Sequence, residues 1–202
     1  LHLVGNQATI QRVCQVIKDF NIIHLSTHGY ADYHRPMSSG LLLANEEFLT
    51  LEEISKTRFE HTRLAVLSAC ETGISTDIQL LDEVISLPTG FIIAGVPGVI
   101  GSLWSVNDLS TAILMSWFYQ FWREENLEPQ EALRRAQLLL RKMSKRELEA
   151  FLNGQTAQEL FGRFPDEVIQ SFLEYVRSKK GNPEKPIFAH PFWWAGFIYV
   201  GV

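Results

Sequence analysis

Two residues of this chain have the types and the setting for covalent catalysis. They are His28, in His24-Leu-Ser-Thr-His28-Gly29, and Cys70, in Val66-Leu-Ser-Ala-Cys70-Glu71-Thr72-Gly73. A thiol of ordinary pKa is only a few per cent thiolate at neutral pH. A nucleophilic Cys70 therefore needs an imidazole in hydrogen-bond reach, to take its proton and later return it to the leaving amine. His28 supplies that group. Gly29 and Gly73 let the main chain approach a reacting carbonyl closely. The backbone N–H groups of Gly29 and Cys70 then form an oxyanion hole, a device that contributes on the order of 3 kcal/mol per donor in other hydrolases.

The remaining candidates read as structural. Cys14 shares one helix face with Ile10, Val13 and Ile17, so it is expected in the core. His24, mid-strand, is expected to be a packed core histidine or a group supporting the site. His24 and His28 have the four-residue spacing of a zinc-protease pair. However, Leu25 stands where the general-base Glu belongs, and the segment is not helical. His2, His34 and His61 lie in polar loops or at the terminus, and His190 sits in a structural aromatic run. Two cysteines are too few for a disulfide framework or a four-thiolate zinc site, and no G-x-S-x-G elbow offers a serine nucleophile. The thiol route needs neither metal nor organic cofactor, and none is expected.

Both candidate residues sit where strands end. Ile22 to Ser26 and Leu64 to Ala69 are short, β-branched apolar runs that stop at polar, glycine-containing corners, the pattern of strands buried on both faces. A third such strand is expected from Gly98 to Trp104, and a final one from Trp194 to Val200. Helices are expected over 8–20, from Leu81 to Gly95, from Ser110 to Arg123 with Ser110 or Asp108 as cap, and from Gln130 to Met143 with Pro129 at the first position. A short hairpin is expected from Leu41 to Leu49, followed by an acidic helix start at Leu51-Glu52-Glu53. Helices alternating with buried strands predict an α/β three-layer sandwich around a mostly parallel sheet. In such a sheet ligands bind at the carboxyl ends of the strands, where His28 and Cys70 fall.

The chain has 202 residues, 46% of them hydrophobic and 20% charged, the balance of a globular domain. Its net charge of -5, with 18 Lys+Arg against 23 Asp+Glu, argues against nucleic acid as a direct partner. The apolar stretch from Phe91 to Trp104 is broken by Gly95, Pro97, Gly98 and Gly101, too interrupted to span a bilayer. The start lacks the basic n-region of a signal peptide, so none is expected. With two cysteines, a reducing, cytoplasmic location is the expectation. Leu1 leads straight into a helical pattern, which reads as a segment cut from something longer.

Several motifs together carry a resemblance. The His24–Gly29 and Val66–Gly73 segments are followed by Leu87-Pro-Thr-Gly-Phe91 and by the run from Ala94 through Gly98 and Trp104 to Asp108. Glu131-Ala-Leu-Arg-Arg-Ala-Gln137 and Pro191-Phe-Trp-Trp-Ala195 complete the set. In this order they resemble the CHAT domain, the caspase-like domain associated with tetratricopeptide repeats, in the clan CD of thiol proteases with caspases and separase. The 42 residues between His28 and Cys70 are close to the roughly 50 between a caspase His and its Cys.

The resemblance implies a caspase-like fold over the whole chain as a single domain and makes His28 the catalytic His and Cys70 the nucleophile. It implies cysteine endopeptidase activity on protein or peptide substrates. It also implies a tetratricopeptide repeat region upstream that regulates the site, and an additional strand supplied by material before the first helix. Leu103 to Asp108 is similar to the strand-end segment that binds substrate in caspases, so Trp104, Ser105 and Asp108 become candidate substrate-binding residues, with Asp108 facing a basic side chain. The polar stretch 144–186, with two helical patterns, is expected to be an insert that serves a partner or regulator. The alternative is a catalytically silent interaction module on the same fold.

Overall fold

The computed structural model describes residues 1–32, 34–68, 86–153, 166–178 and 180–202, the side chains of Asp166 and Val168 excepted. These residues form two compact units. One comprises 1–106 together with 196–202, and the other 107–195.

The first unit holds the expected sheet. β1 (Ile22–Ser26), β2 (Gly29–Tyr30), β3 (Gly40–Leu42), β4 (Phe48–Thr50), β5 (Leu64–Ser68), β6 (Gly98–Ser102) and β7 (Phe197–Gly201) make two sheets, ordered β1-β5-β6-β7 and β2-β3-β4. In the larger sheet β1 and β5 run parallel, as do β5 and β6, while β7 lies antiparallel to β6. The fold is thus mixed α/β with a mostly parallel central sheet, consistent with a caspase-like sandwich. β5 and β6 are apolar or small throughout and buried almost throughout, which is why they read in the sequence as continuous runs and not as alternating ones.

Three short helices flank the strands in this unit: α1 (Ile10–Val16), α2 (Leu51–Lys56) and α3 (Leu87–Ile93). Thr9 caps α1 by accepting from the Arg12 N–H. At α2, Thr50 and Glu53 cap each other reciprocally, satisfying donors that a six-residue helix otherwise leaves open. Val13 and Ile17 join Ile23, Leu41, Leu51, Phe91 and Val99 in one buried cluster. Gly90 lets α3 close on α2, because a Cβ there would lie 2.1 Å from Leu51 Cδ1.

The first helix is shorter than 8–20, since the chain tightens into a 3-10 turn at Ile17–Asp19. The buried stripe is carried by Val13 and Ile17. Cys14 stands beside it and is exposed, contrary to the core position expected of it. The expected hairpin is present as β3 and β4, but it is part of a three-stranded sheet that β2 completes. The start of the helix expected from Leu81 lies outside the described residues.

The second unit is helical: α4 (Asp108–Arg123), α5 (Pro129–Lys142), α6 (Lys145–Asn153) and α7 (Asp166–Ser178). α4 and α5 pack together through Ile113, Leu114, Phe118, Ala132, Ala136 and Leu140, all fully buried. The cap of α4 is Asn107, whose side chain accepts from the Ser110 N–H at 3.2 Å, and not Ser110 or Asp108. Ser144 and Glu147 form a reciprocal cap on α6. Among the described residues no helix is long and apolar enough to cross a membrane.

Candidate functional site

The geometry of the candidate site begins with register. β1 and β5 are neighbouring parallel strands with Ser26 opposite Ser68, and His28 follows Ser26 by two residues. Cys70 follows Ser68 by the same two residues in sequence but lies outside the described residues, as does Gly73. His28 is exposed at the carboxyl end of β1. Its carbonyl accepts from the Leu42 N–H at 2.8 Å, and the Thr27 hydroxyl donates to the Leu42 carbonyl.

That bond decides which way the next amide points. In an antiparallel ladder hydrogen-bonded and non-hydrogen-bonded pairs alternate. With His28 and Leu42 bonded, the Gly29–Leu41 pair is the non-bonded one. The Gly29 N–H is therefore turned away from β3, the condition for its expected part in an oxyanion hole.

His24 supports the same strand end. Its Nε2 lies 3.1 Å from the Ser68 Oγ, linking β1 to the last residue of β5. The ring keeps accessible surface along a cavity wall, yet the protein around it withdraws hydration and brings its pKa down from 6.5 to about 4. His24 is thus neutral at neutral pH, and its contact with Ser68 is a hydrogen bond between uncharged groups. His24 is exposed, so the core position expected of it is not found, and its contact with Ser68 fits the supporting role instead. That partner gives no signal in the sequence, because the contact runs diagonally across two strands distant in sequence.

A cavity of about 630 Å³ runs along the other edge of β1, bounded by the N-terminal segment, α1 and the chain after β3. No residue of β5 lines it, and neither does His28.

The chain leaving β6, the strand on the far side of β5, carries Trp104 and Ser105. Trp104 rests on Gly196, where a Cβ would lie 3.2 Å from the indole Nε1, and the Leu103 N–H donates to the Gly196 carbonyl. Ser105 is exposed. Asp108, the third expected substrate-binding residue, is the first residue of α4 in the second unit and is exposed there. Its carboxylate stands in the first helical turn, where it complements the helix dipole.

The thiol of Cys14, though exposed, is held above its ordinary pKa, first by desolvation from the protein around it and then by the negative charge of Glu53.

The sequence matches the family model of the CHAT domain over residues 2–202, and the chain belongs to that family. No curated protein matches it.

Proposed function

We propose that this CHAT-domain chain is a cysteine endopeptidase in which His28 activates Cys70. The observation that carries this reading is the parallel pairing of β1 with β5, Ser26 opposite Ser68, which brings the two chain segments to one edge of the sheet two residues before each candidate. His28 takes the thiol proton, and the Cys70 sulfur attacks the peptide carbonyl. The oxyanion that forms is held by the N–H groups of Gly29 and Cys70. Return of the proton from His28 to the leaving nitrogen breaks the C–N bond and leaves a thioester. Water, deprotonated by His28, then hydrolyses the thioester and restores the thiol.

Trp104 and Ser105 leave β6 next to the exit of β5 and form the wall for the substrate's acyl side. The hydrogen bond between His24 and Ser68 steadies the strand end that precedes Cys70. Residues 2–202 act as one catalytic domain, and the polar stretch 144–186 is the surface for a partner or regulator. An upstream tetratricopeptide repeat region governs the site, and the working compartment is the cytoplasm, where thiols stay reduced.

The experiment is a library of internally quenched peptides offered to the wild type and to Cys70→Ala, with a peptidyl acyloxymethylketone as covalent probe. Cys70→Ala is expected to lose cleavage by at least about a thousandfold. The probe should label Cys70 and not Cys14, whose raised pKa keeps it protonated. Cleavage that survives in Cys70→Ala overturns the assignment. Equal, slow labelling of both cysteines, with no cleavage, points to the silent interaction module.

A further inference from the structure

The small antiparallel sheet carries a feature that the catalytic reading does not use. Its register places Gly29 with Leu41 and Leu49, and both leucines are buried. The residues that alternate with these, His28, Tyr30, Leu42, Phe48 and Thr50, therefore share the opposite face. On that face Tyr30 is 48% exposed and Phe48 is 37% exposed. Their rings lie 5.6 Å apart, inclined at 54°.

The pairing depends on a missing side chain. Tyr30 stands opposite Gly40, and Phe48 opposite Leu42, so the two rings meet across β3 beside a position that offers no bulk. A Cβ on Gly40 would lie 2.6 Å from the Leu49 carbonyl oxygen, so the position is held to glycine by the closeness of β4. The chain after Tyr30 is fixed as well. The Asp32 N–H donates to Ser39 Oγ, and the Asp32 carboxylate accepts from the His34 and Arg35 N–H groups. Two exposed aromatic rings are thus held in place on a pinned sheet.

Tyr30 follows His28 by two residues on the same face, a step of about 6.6 Å along an extended strand. The imidazole is the group that protonates the leaving amine, so the residues beyond the scissile bond lie on the His28 side of the sulfur. We infer that the Tyr30–Phe48 pair is a subsite for an apolar side chain on the leaving-group side of a peptide substrate. The inference rests on the proteolytic reading above and adds its specificity. An apolar side chain set against two aromatic faces removes apolar surface from water on both partners, and neither ring has a charged residue opposite it in the sheet.

The test is a set of internally quenched peptides that differ only in the first three residues after the cleaved bond, with Leu or Phe against Ala at each. For the wild type, kcat/KM should favour the apolar residue at one of these positions by about tenfold. Tyr30→Ser and Phe48→Ser should each bring that ratio close to one, and Ile93→Ser, exposed on α3, should leave it unchanged. Phe48→Arg gives a second reading that mere weakening of the enzyme cannot imitate, a new preference for Glu over Ala at the same position. A wild type that cleaves with a preference unmoved by Tyr30→Ser, Phe48→Ser and Phe48→Arg overturns the subsite and leaves the protease reading standing. A wild type that cleaves none of the peptides overturns both.

Discussion

The two sheets of the first unit differ in how they meet water, and the difference separates strands fixed by packing on both faces from strands that leave side chains open to solvent. β5 and β6 are buried along nearly their whole length, with Leu64, Val66, Leu67, Val99 and Ile100 all fully enclosed. β2, β3 and β4 bury one face, through Leu41 and Leu49, and leave the face bearing His28, Tyr30 and Phe48 open. A residue enclosed on both sides is constrained by packing in every direction. One on the open face is constrained only by its strand. The parallel sheet thus fixes where the chain leaves β1 and β5, and the antiparallel sheet offers side chains that can vary without disturbing those exits.

The contrast is broken most directly at Leu67. Leu67→Ala should cost about 2–5 kcal/mol in urea unfolding, whereas Phe48→Ala on the open face should stay within about 1 kcal/mol. Equal losses would mean that the small sheet is as structural as the large one. Gly40→Ala should fall between them, at about 1–3 kcal/mol by thermal melting, because the new Cβ must displace the β4 backbone. A neutral result would show that β3 and β4 separate easily.

The smallest effect sharpens the account of the strand end. Folding holds the His24 pKa at about 4, below its ordinary 6.5. The unfolded chain therefore binds a proton that the folded chain refuses between these values. The contribution of neutral His24 is complete above about pH 6.5 and is lost as the pH falls from there towards about 4. His24→Gln should be less stable than the wild type near neutrality and should show a shallower loss of unfolding free energy over that window. Parallel pH profiles for the two proteins would show that His24 is not the group that titrates.

Much of this was legible in the sequence. β5 and β6 stand out because strands buried on both faces need uninterrupted apolar residues; β1 has the same look in the sequence, but as the edge strand of its sheet it buries only Ile23. α4 and α5 stand out because their apolar positions recur at helical spacing. His28 was found at a strand end for the same reason, since its strand is bounded by polar residues and glycine. Other features gave no local signal. β2 is two residues long and exists only because β3 lies alongside it. Cys14 has helical spacing from Ile10 and Ile17, but the switch to a 3-10 turn leaves it on the flank of the buried stripe. Asn107 caps α4 although Asp108 and Ser110 are equally good capping types, and which of them turns out of the helix is a matter of backbone path.

What the sequence alone determined is the inventory: the alternation of helices and buried strands, the family, and the placing of an imidazole and a thiol just beyond two apolar runs. These follow from residue type and spacing, which act over a few residues. The tertiary structure decided which strands became neighbours, that Ser26 stands opposite Ser68, that the Gly29 amide turns away from β3, and that Tyr30 and Phe48 meet across Gly40. Each of these is a contact between segments brought together only by closing the chain on itself, and burial of the whole core, not any local preference, selects that closure.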